Sequence, residues 1–332
     1  MSNCKGFCRR LNIALSYFAA LALIATVLTA PAHAEIDLSG NWAARIHQDW
    51  QERTPGPEIV DYMGLPINNE ARAKALSYQA SELSMPERQC MYYPPAYLAF
   101  GPFGFKMWSE FDSSTGKILM WKMTGEIDIA GMTIWMDGRP HPSRNAPHTF
   151  GGFTTGTWEG DVLVTYTTHF KAGYLRRNGV PLSDEATMTR HFARHGDLLT
   201  ITEYIDDPVY LTEPEVVSRT WQMDLKMQVT TVPGPCNPEA EVARLTGDVV
   251  PHYLPGKNPF VGELTKLYNI PEETILGGAE TMYPEYRKKL KDIYLPPDRC
   301  VRYCCGWSLG SQANTLKCIG IGFSTLDAPL GR

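Results

Sequence analysis

Short apolar segments that alternate with polar residues dominate the chain from Ile36 to Asp224. Most have the two-residue period of a β-strand, and turn-forming residues separate them. A sustained helical period occurs in this part only at residues 70–80. After residue 234 Pro becomes more frequent, and helix starts follow at residues 259–268, 271–276 and 284–294. The pattern predicts a β domain over residues 35–234 and a helical, Pro-rich C-terminal extension over residues 235–332.

A Gly between two β-prone runs recurs at Gly116, Gly160 and Gly196, and each predicts a hairpin. Glu159-Gly160 and His195-Gly196 suit two-residue turns in which the second central residue has a positive φ. For the second hairpin, this turn would pair Ala193 with Leu198. Serial hairpins form an antiparallel meander, which hides its edges most easily by closing into a barrel. The predicted fold class is therefore mainly β, an antiparallel barrel followed by the small helical extension.

Residues 1–34 have the pattern of a secretory signal peptide. Lys5, Arg9 and Arg10 precede an apolar run, and Ala32-His33-Ala34 forms a small-x-small cleavage site. An uncleaved anchor is the alternative, because about 20 apolar residues can span a bilayer. The interpretation we favour is cleavage and a periplasmic or secreted protein.

Removal of this leader changes the charge and the cysteine content. The 31 Lys and Arg fall to 28 while the 36 acids remain, so the formal charge becomes −8. An acidic protein without clustered Lys and Arg is a poor candidate for nucleic-acid binding or for stable association with an anionic membrane. Six cysteines remain, and in an oxidising compartment they suggest up to three disulfides of undefined connectivity. They are Cys90, Cys236, Cys300, Cys304, Cys305 and Cys318.

Two short segments resemble the signature of a lipocalin-like (calycin) barrel. Gly40-Asn41-Trp42 is similar to the Gly-x-Trp of the first lipocalin strand, in which the indole closes one end of the barrel. Arg219, near the end of the last predicted strand, would pack over that Trp through a cation–π contact. The resemblance implies a barrel that encloses a small molecule.

A second resemblance is to a group of uncharacterised secreted bacterial proteins, and it covers roughly residues 37–224. It rests on Trp135-Met-Asp-Gly-Arg-Pro-His-Pro142, Gly156-Thr-Trp-Glu-Gly-Asp-Val-Leu-Val164, Thr167-Thr-His-Phe170, Arg176-Arg-Asn-Gly179 and Asp207-Pro-Val-Tyr210. Members of the group often carry His where this chain has Phe153 and Leu182. The group implies an architecture and an exported location.

Histidines are concentrated in one stretch of the sequence. Five lie within 55 residues, namely His141, His148, His169, His191 and His195. Imidazole suits both metal binding and proton transfer near neutral pH. The spacing of His191 and His195 matches a zinc motif only on a helix, whereas here a strand and turn are predicted. We therefore predict acid–base chemistry with no metal and no cofactor.

The candidate site combines proton carriers with aromatic and cationic groups. The predicted catalytic residues are His169, His191, Tyr174, Arg176 and His141. The predicted ligand-binding residues are Tyr166, Arg177, Phe153, Trp135 and Tyr97. A structural alternative places Arg190 and Glu203 as a cross-strand ion pair on the outer face of the barrel.

Two functions fit these residues. The first is a lipocalin-like enzyme that acts on a hydrophobic or aromatic small molecule by general acid–base chemistry, as an isomerase, lyase or hydrolase. The second is a non-catalytic carrier of the same class of ligand. Two histidines in one pocket would favour the enzyme, and an almost wholly apolar pocket would favour the carrier.

Overall fold

Eleven β-strands occur in the part of the chain that the structure describes. The computed structural model describes residues 36–45, 59–85, 93–101, 103–125, 130–227, 229, 249–268 and 270–293. The strands are β1 (Gly40–Ala44), β2 (Phe105–Phe111), β3 (Ile118–Gly125), β4 (Met132–Trp135), β5 (Phe153–Glu159), β6 (Val162–Thr168), β7 (Gly173–Tyr174), β8 (Pro181–Leu182), β9 (Thr187–His195), β10 (Leu198–Asp206) and β11 (Glu215–Met223).

Nine of these strands close into a barrel, in the order β1-β11-β10-β9-β6-β5-β4-β3-β2, with β1 also paired to β2. All neighbours in the barrel are antiparallel except β4 and β5, which run parallel. The strands β7 and β8 form a separate two-stranded hairpin. Closure leaves every barrel strand paired on both sides. The predicted fold class, a mainly β barrel followed by a small helical region, is confirmed.

The hairpins at Gly160 and Gly196 form as predicted, but their turns are centred one residue later than expected. His195 pairs with Leu198, so Gly196 is the first central residue of the turn, with φ +60°. This is the arrangement of a type II′ turn. The shift moves the register by two residues, and Ala193 pairs with Thr200 instead of Leu198. A two-residue shift preserves which side chains share a face.

Side chains on one face of each strand point into the barrel. Trp42, Phe105 and Trp221 are almost completely buried, and the last two form an edge-to-face pair with centroids 5.5 Å apart. Burial of a large apolar side chain contributes about 1.5–3 kcal/mol to stability. The pairing of Trp42 with both Phe105 and Met223 joins the first and last barrel strands.

Trp42 lies near the end of the barrel that contains the β9–β10 turn. Its indole N–H donates to the Leu38 carbonyl at 3.1 Å. The guanidinium carbon of Arg194 lies 5.4 Å from the centroid of the Trp42 ring. We expected Arg219 in this position, but the structure places Arg194 there because β9 ends beside this turn. Arg194 also donates to the Gly196 and Asp37 carbonyls.

Four α-helices occur among the described residues. They are α1 (Asn69–Ser77), α2 (Glu263–Tyr268), α3 (Glu272–Ile275) and α4 (Pro284–Ile293). Asn68 caps α1, because its side-chain oxygen accepts from the Ala71 N–H at 2.9 Å. The three C-terminal helices fall within the segments for which helix starts were predicted, and α1 overlaps the predicted helical period at residues 70–80.

The C-terminal helices pack against residues that precede most of the barrel. Val60, Leu264 and Ile275 form a small buried cluster, and Leu76 of α1 packs against it. The Leu276 carbonyl accepts from Arg72 Nε at 2.6 Å. The predicted C-terminal extension therefore shares a core with α1.

Several predicted features lie outside the described residues. These are the signal peptide, the segment around residue 234 and all six remaining cysteines. Within the described ranges, no helix has both the length and the apolar character needed to cross a bilayer.

Candidate functional site

A buried ion pair lies among the side chains that point into the barrel. Arg190 on β9 and Glu203 on β10 are directly opposite each other in the strand register, and each is 1% exposed. Both Nε and Nη2 of Arg190 lie 2.5 Å from the same carboxylate oxygen, Oε2 of Glu203. The alternative that we considered from the sequence was a pair on the outer face of the barrel. That placement was wrong, because Phe192 and Ile201, which share their face, point into the core.

The remaining nitrogen of Arg190 reaches across the barrel. Its Nη1 lies 3.2 Å from the Met132 sulfur on β4, and Nη2 also donates to the Pro95 carbonyl. Pro95 begins a 3₁₀ helix, Pro95–Ala99, whose five residues are all buried. Because all three guanidinium nitrogens have partners, Arg190 links three strands of the barrel to this helix.

Three buried polar atoms on the barrel strands β10, β6 and β3 have no hydrogen-bond partner among the described residues. They are Oε1 of Glu203, Oγ1 of Thr165 and Nε1 of Trp121. Thr165 is the register partner of Arg190 on β6, and each of these three residues is 1% exposed. An unsatisfied buried polar group costs roughly 1–3 kcal/mol. The cost is removed when a water or a bound molecule supplies the missing partner.

Electrostatics in this region are set by burial and by two arginines. Desolvation raises the pKa of the Glu203 carboxyl, while the charges of Arg190 and, more weakly, Arg219 act in the opposite direction. A carboxylate that remains charged here depends on Arg190. Oε1 of Glu203 is thus a buried hydrogen-bond acceptor without a donor among the described residues.

Four of the predicted site residues lie around the 3₁₀ helix and the β7–β8 hairpin. Tyr97 is buried, which raises the pKa of its phenol, and the charges of Arg176 and Arg177 oppose this shift. The Tyr174 hydroxyl donates to Oε2 of Glu82 at 3.2 Å. The Arg176 guanidinium lies 4.6 Å from the centroid of the Phe100 ring. Tyr97, Arg176 and Arg177 thus share one region.

A second group of predicted residues meets on the outer wall of the barrel. His141 donates or accepts at both ring nitrogens, with Nδ1 2.8 Å from the Thr168 hydroxyl and Nε2 2.9 Å from the Thr155 hydroxyl. The rings of Phe153 and Tyr166 lie 5.1 Å from the His141 ring. Three predicted site residues therefore form one half-exposed cluster.

Thr168 connects His141 to His169. Its hydroxyl lies 2.7 Å from Nδ1 of His169, whose Nε2 lies 2.9 Å from the Ser143 carbonyl. A carbonyl only accepts, so in the neutral state His169 Nε2 donates and Nδ1 accepts from Thr168. His141 Nδ1 must then donate to Thr168, and Thr155 donates to His141 Nε2. All donors in this hydrogen-bond chain therefore point the same way, from the Thr155 hydroxyl toward the Ser143 carbonyl.

The environment of His141 favours its neutral form. Desolvation lowers the pKa of His141, and the neighbouring His169 lowers it further. His169 is 9% exposed and has a φ of +60°, an uncommon value for a residue other than Gly. His148 lies beside it, with ring centroids 5.0 Å apart. An imidazole that is neutral at pH 7 can accept a proton, as a general base does.

The other two predicted residues lie elsewhere. His191 faces outward on β9, and its ring contacts Tyr204, with centroids 5.6 Å apart. Trp135 lies under Arg139, whose guanidinium carbon is 3.4 Å from the Trp135 ring centroid, and Asp137 pairs with Arg139 at 2.5 Å. No contact joins His191 to His169 in the described part of the molecule.

Sequence reasoning missed the interior polar residues. Thr165 and Trp121 were not selected, and Arg190 and Glu203 were assigned to the wrong face. A signal was present, because Met188, Arg190 and Phe192 alternate with more polar neighbours along β9. Charged residues that share an alternating apolar face lie in the interior.

A metal site finds no support among the described residues, where no group of three or more His, Cys, Asp or Glu side chains is arranged to hold an ion. Comparison with protein-family models, with curated proteins and with solved structures found no match. The barrel geometry and its side chains are therefore the basis for inferring a function.

Proposed function

We propose that this is an exported, lipocalin-like carrier that takes a small hydrophobic or aromatic molecule into its barrel. The observation that carries the proposal is the group of unpartnered polar atoms in the interior, Glu203 Oε1, Thr165 Oγ1 and Trp121 Nε1. Ligand sites are mostly apolar and contain a few convergent polar groups that orient the ligand. The barrel has both components, since these polar atoms and large apolar side chains such as Phe105 and Phe192 are all buried on its strands.

Binding of a neutral aromatic fluorophore, N-phenyl-1-naphthylamine, tests this proposal on the protein exported and purified without its leader. We expect saturable binding at one molecule per chain. In ¹⁵N–¹H spectra, binding should shift the indole N–H of Trp121, which points into the barrel without a partner. The outer-wall indoles of Trp108 and Trp135 serve as internal controls and should not shift. Failure to saturate, or shifts confined to the outer-wall indoles, would contradict the proposal.

An acid–base enzyme is the second candidate, and the directional chain from Thr155 through His141 and Thr168 to His169 favours it. Such a chain can accept a proton at His141 Nε2 and pass charge toward His169. If mass spectrometry showed a captured ligand being converted by the wild type but not by His141→Gln, the enzyme would be favoured. Retention of an unchanged ligand by both proteins would favour the carrier.

A further inference from the structure

We propose that the outer face of the neighbouring barrel strands β5, β6, β9, β10 and β11 is a homodimer interface, at which two copies of this chain pack face to face. The inference goes beyond the proposed function and does not depend on it. The strand register sets a row of side chains across all five strands. This central row consists of Thr155, Tyr166, Thr189, Tyr204 and Val216.

The central row and the row beside it carry no Asp, Glu, Lys or Arg. The second row runs from Thr157 through His191 to Ser218. Outward-facing carboxylates on these strands lie at strand ends, as Glu159 of β5 and Asp206 of β10, and both are exposed. Protein–protein interfaces have this distribution, with charges depleted at the centre and present at the rim.

The opposite wall of the barrel is different. Lys106 and Glu110 are exposed on β2, and Lys122 of β3 is the register partner of Trp108. The whole chain has a formal charge of −5, so two copies repel each other through most of their surfaces. Contact through the uncharged face brings the fewest like charges together. A second copy is therefore the partner that this face complements.

The exposed aromatic side chains of the central row are already ordered. Tyr166 is 44% exposed and Tyr204 is 41% exposed. The ring centroid of His141 lies 5.1 Å from that of Tyr166, and the ring centroid of His191 lies 5.6 Å from that of Tyr204. Side chains that are held in place before binding lose little conformational entropy on association, and Tyr is enriched at interfaces.

The order of residues in the central row suits a two-fold axis. Thr189 is the middle residue, and a Tyr lies on the strand on either side of it. A two-fold axis that runs along β9 over Thr189 places Tyr166 of each copy against Tyr204 of the other. This axis also overlays the five strands along their length and keeps Glu159 and Asp206 at the rim.

The size of the face is sufficient for a reversible dimer. The strands have seven to nine residues. With a strand spacing of about 4.8 Å and a rise of about 3.3 Å per residue, the face covers roughly 500–650 Å². Two such faces bury roughly 1,000–1,300 Å², which is the lower end of the range for stable interfaces.

Sedimentation velocity of the exported protein, from micromolar to millimolar concentration, tests the proposal. We expect a concentration-dependent dimer in the wild type. Tyr204→Glu should weaken dimerisation at least ~10-fold, because each copy would bury an unpaired carboxylate against Tyr166. Phe111→Glu is the matched control, since Phe111 is 60% exposed on β2, outside the face, and this variant should dimerise like the wild type. A monomeric wild type would overturn the proposal and assign the face to a partner of another kind, and unchanged dimerisation of Tyr204→Glu would place the interface elsewhere.

A charge pair tests the orientation of the two copies. Tyr166→Arg combined with Tyr204→Glu places opposite charges against each other across the proposed axis, twice in each dimer. The double variant should therefore dimerise at least ~10-fold more tightly than Tyr204→Glu alone. Circular dichroism checks that each variant is folded. A folded double variant that dimerises no better than Tyr204→Glu would overturn the pairing of Tyr166 with Tyr204.

Discussion

At Arg190 and Glu203, two opposite charges share the barrel interior with fully buried aromatic side chains. Transfer of either charge out of water carries a desolvation penalty, and the pair persists because each ion compensates the other. One ion without its partner is the unfavourable state. Loss of one member should therefore destabilise the protein more than loss of both.

A double-mutant cycle tests this expectation. Arg190→Met should lower the free energy of unfolding by about 3–5 kcal/mol, because it leaves the buried Glu203 carboxylate unpaired. Arg190→Met combined with Glu203→Leu should recover most of that loss, since no charge then remains to be desolvated. Urea denaturation of both single variants and the double variant measures the coupling. Additive losses would show that the two charges do not stabilise each other.

The unpartnered hydroxyl of Thr165 allows an opposite prediction at a neighbouring residue. Its Oγ1 is buried and forms no hydrogen bond, so the hydroxyl contributes a desolvation cost without a compensating contact. Thr165→Val keeps the side-chain shape and should leave the ligand-free protein equally stable, or more stable by up to about 1 kcal/mol. A loss above about 1 kcal/mol in urea denaturation would contradict this prediction and would indicate a bound water that satisfies the hydroxyl.

Two glycines with similar backbone conformations allow the effect of backbone strain to be separated from the effect of steric crowding. Gly196, in the β9–β10 turn, has φ +60°, and a Cβ there would meet nothing within 4 Å. Gly152, which precedes β5, has φ +69°, and its Cβ would lie 2.7 Å from Thr167 Cγ2 and 2.8 Å from the Thr168 carbonyl oxygen. Thr168 also belongs to the hydrogen-bond chain that joins His141 to His169.

Alanine substitutions at these positions should therefore differ in cost. Gly196→Ala should lower the free energy of unfolding by about 1–2 kcal/mol, from backbone strain alone. Gly152→Ala adds a clash with backbone that cannot rotate away, and should cost about 2–4 kcal/mol. Only Gly152→Ala should also disturb the His141 and His169 imidazole resonances. Equal losses, or an undisturbed His141 in Gly152→Ala, would contradict the crowding argument.

The same turn shows what sequence reasoning can and cannot establish for an element. The hairpin and the shared faces of its strands follow from Gly196 and from the two-residue alternation. The register does not, because Gly can occupy either central position of a tight turn and each position pairs different residues. The interior face of a strand can be predicted from the character of most side chains on that face. At Arg190 the prediction was wrong, because the opposite charges of Arg190 and Glu203 favoured an exposed pair. Contacts between distant segments, such as the one between Arg190 and Pro95, leave no local pattern.

At the scale of the whole molecule, the barrel separates two kinds of polar chemistry. Its interior holds a compensated ion pair, and its outer wall holds histidines whose hydrogen bonds fix the segment before β5 against β5 and β6. His141 and the Ser143 carbonyl, both from that segment, are bonded through Thr155, Thr168 and His169. Protonation of the histidines would therefore weaken a contact between the segment and the barrel wall.

This arrangement predicts how stability depends on pH. The pKa of His141 is lower in the folded protein than its ordinary value near 6.5, through desolvation and the neighbouring His169. The unfolded chain thus binds more protons in that window, so the contribution of His141 is complete above pH 6.5 and is lost as pH falls toward the lower, folded pKa. Other ionisable groups of this region include His148, His169, Tyr166 and the Asp137–Arg139 pair.

Urea denaturation between pH 4.5 and 8 checks this prediction. The wild type should lose stability on acidification through this window. His141→Gln should be less stable at pH 8, because it loses the bonds to Thr155 and Thr168, but its stability should change less between pH 7 and pH 5. The exposed His195 at the end of β9 provides the control, since His195→Gln should keep the wild-type slope. If His141→Gln kept the wild-type slope of stability against pH, the pH dependence would arise elsewhere. If the slope fell equally in His141→Gln and His195→Gln, the effect would not be specific to the outer-wall histidines.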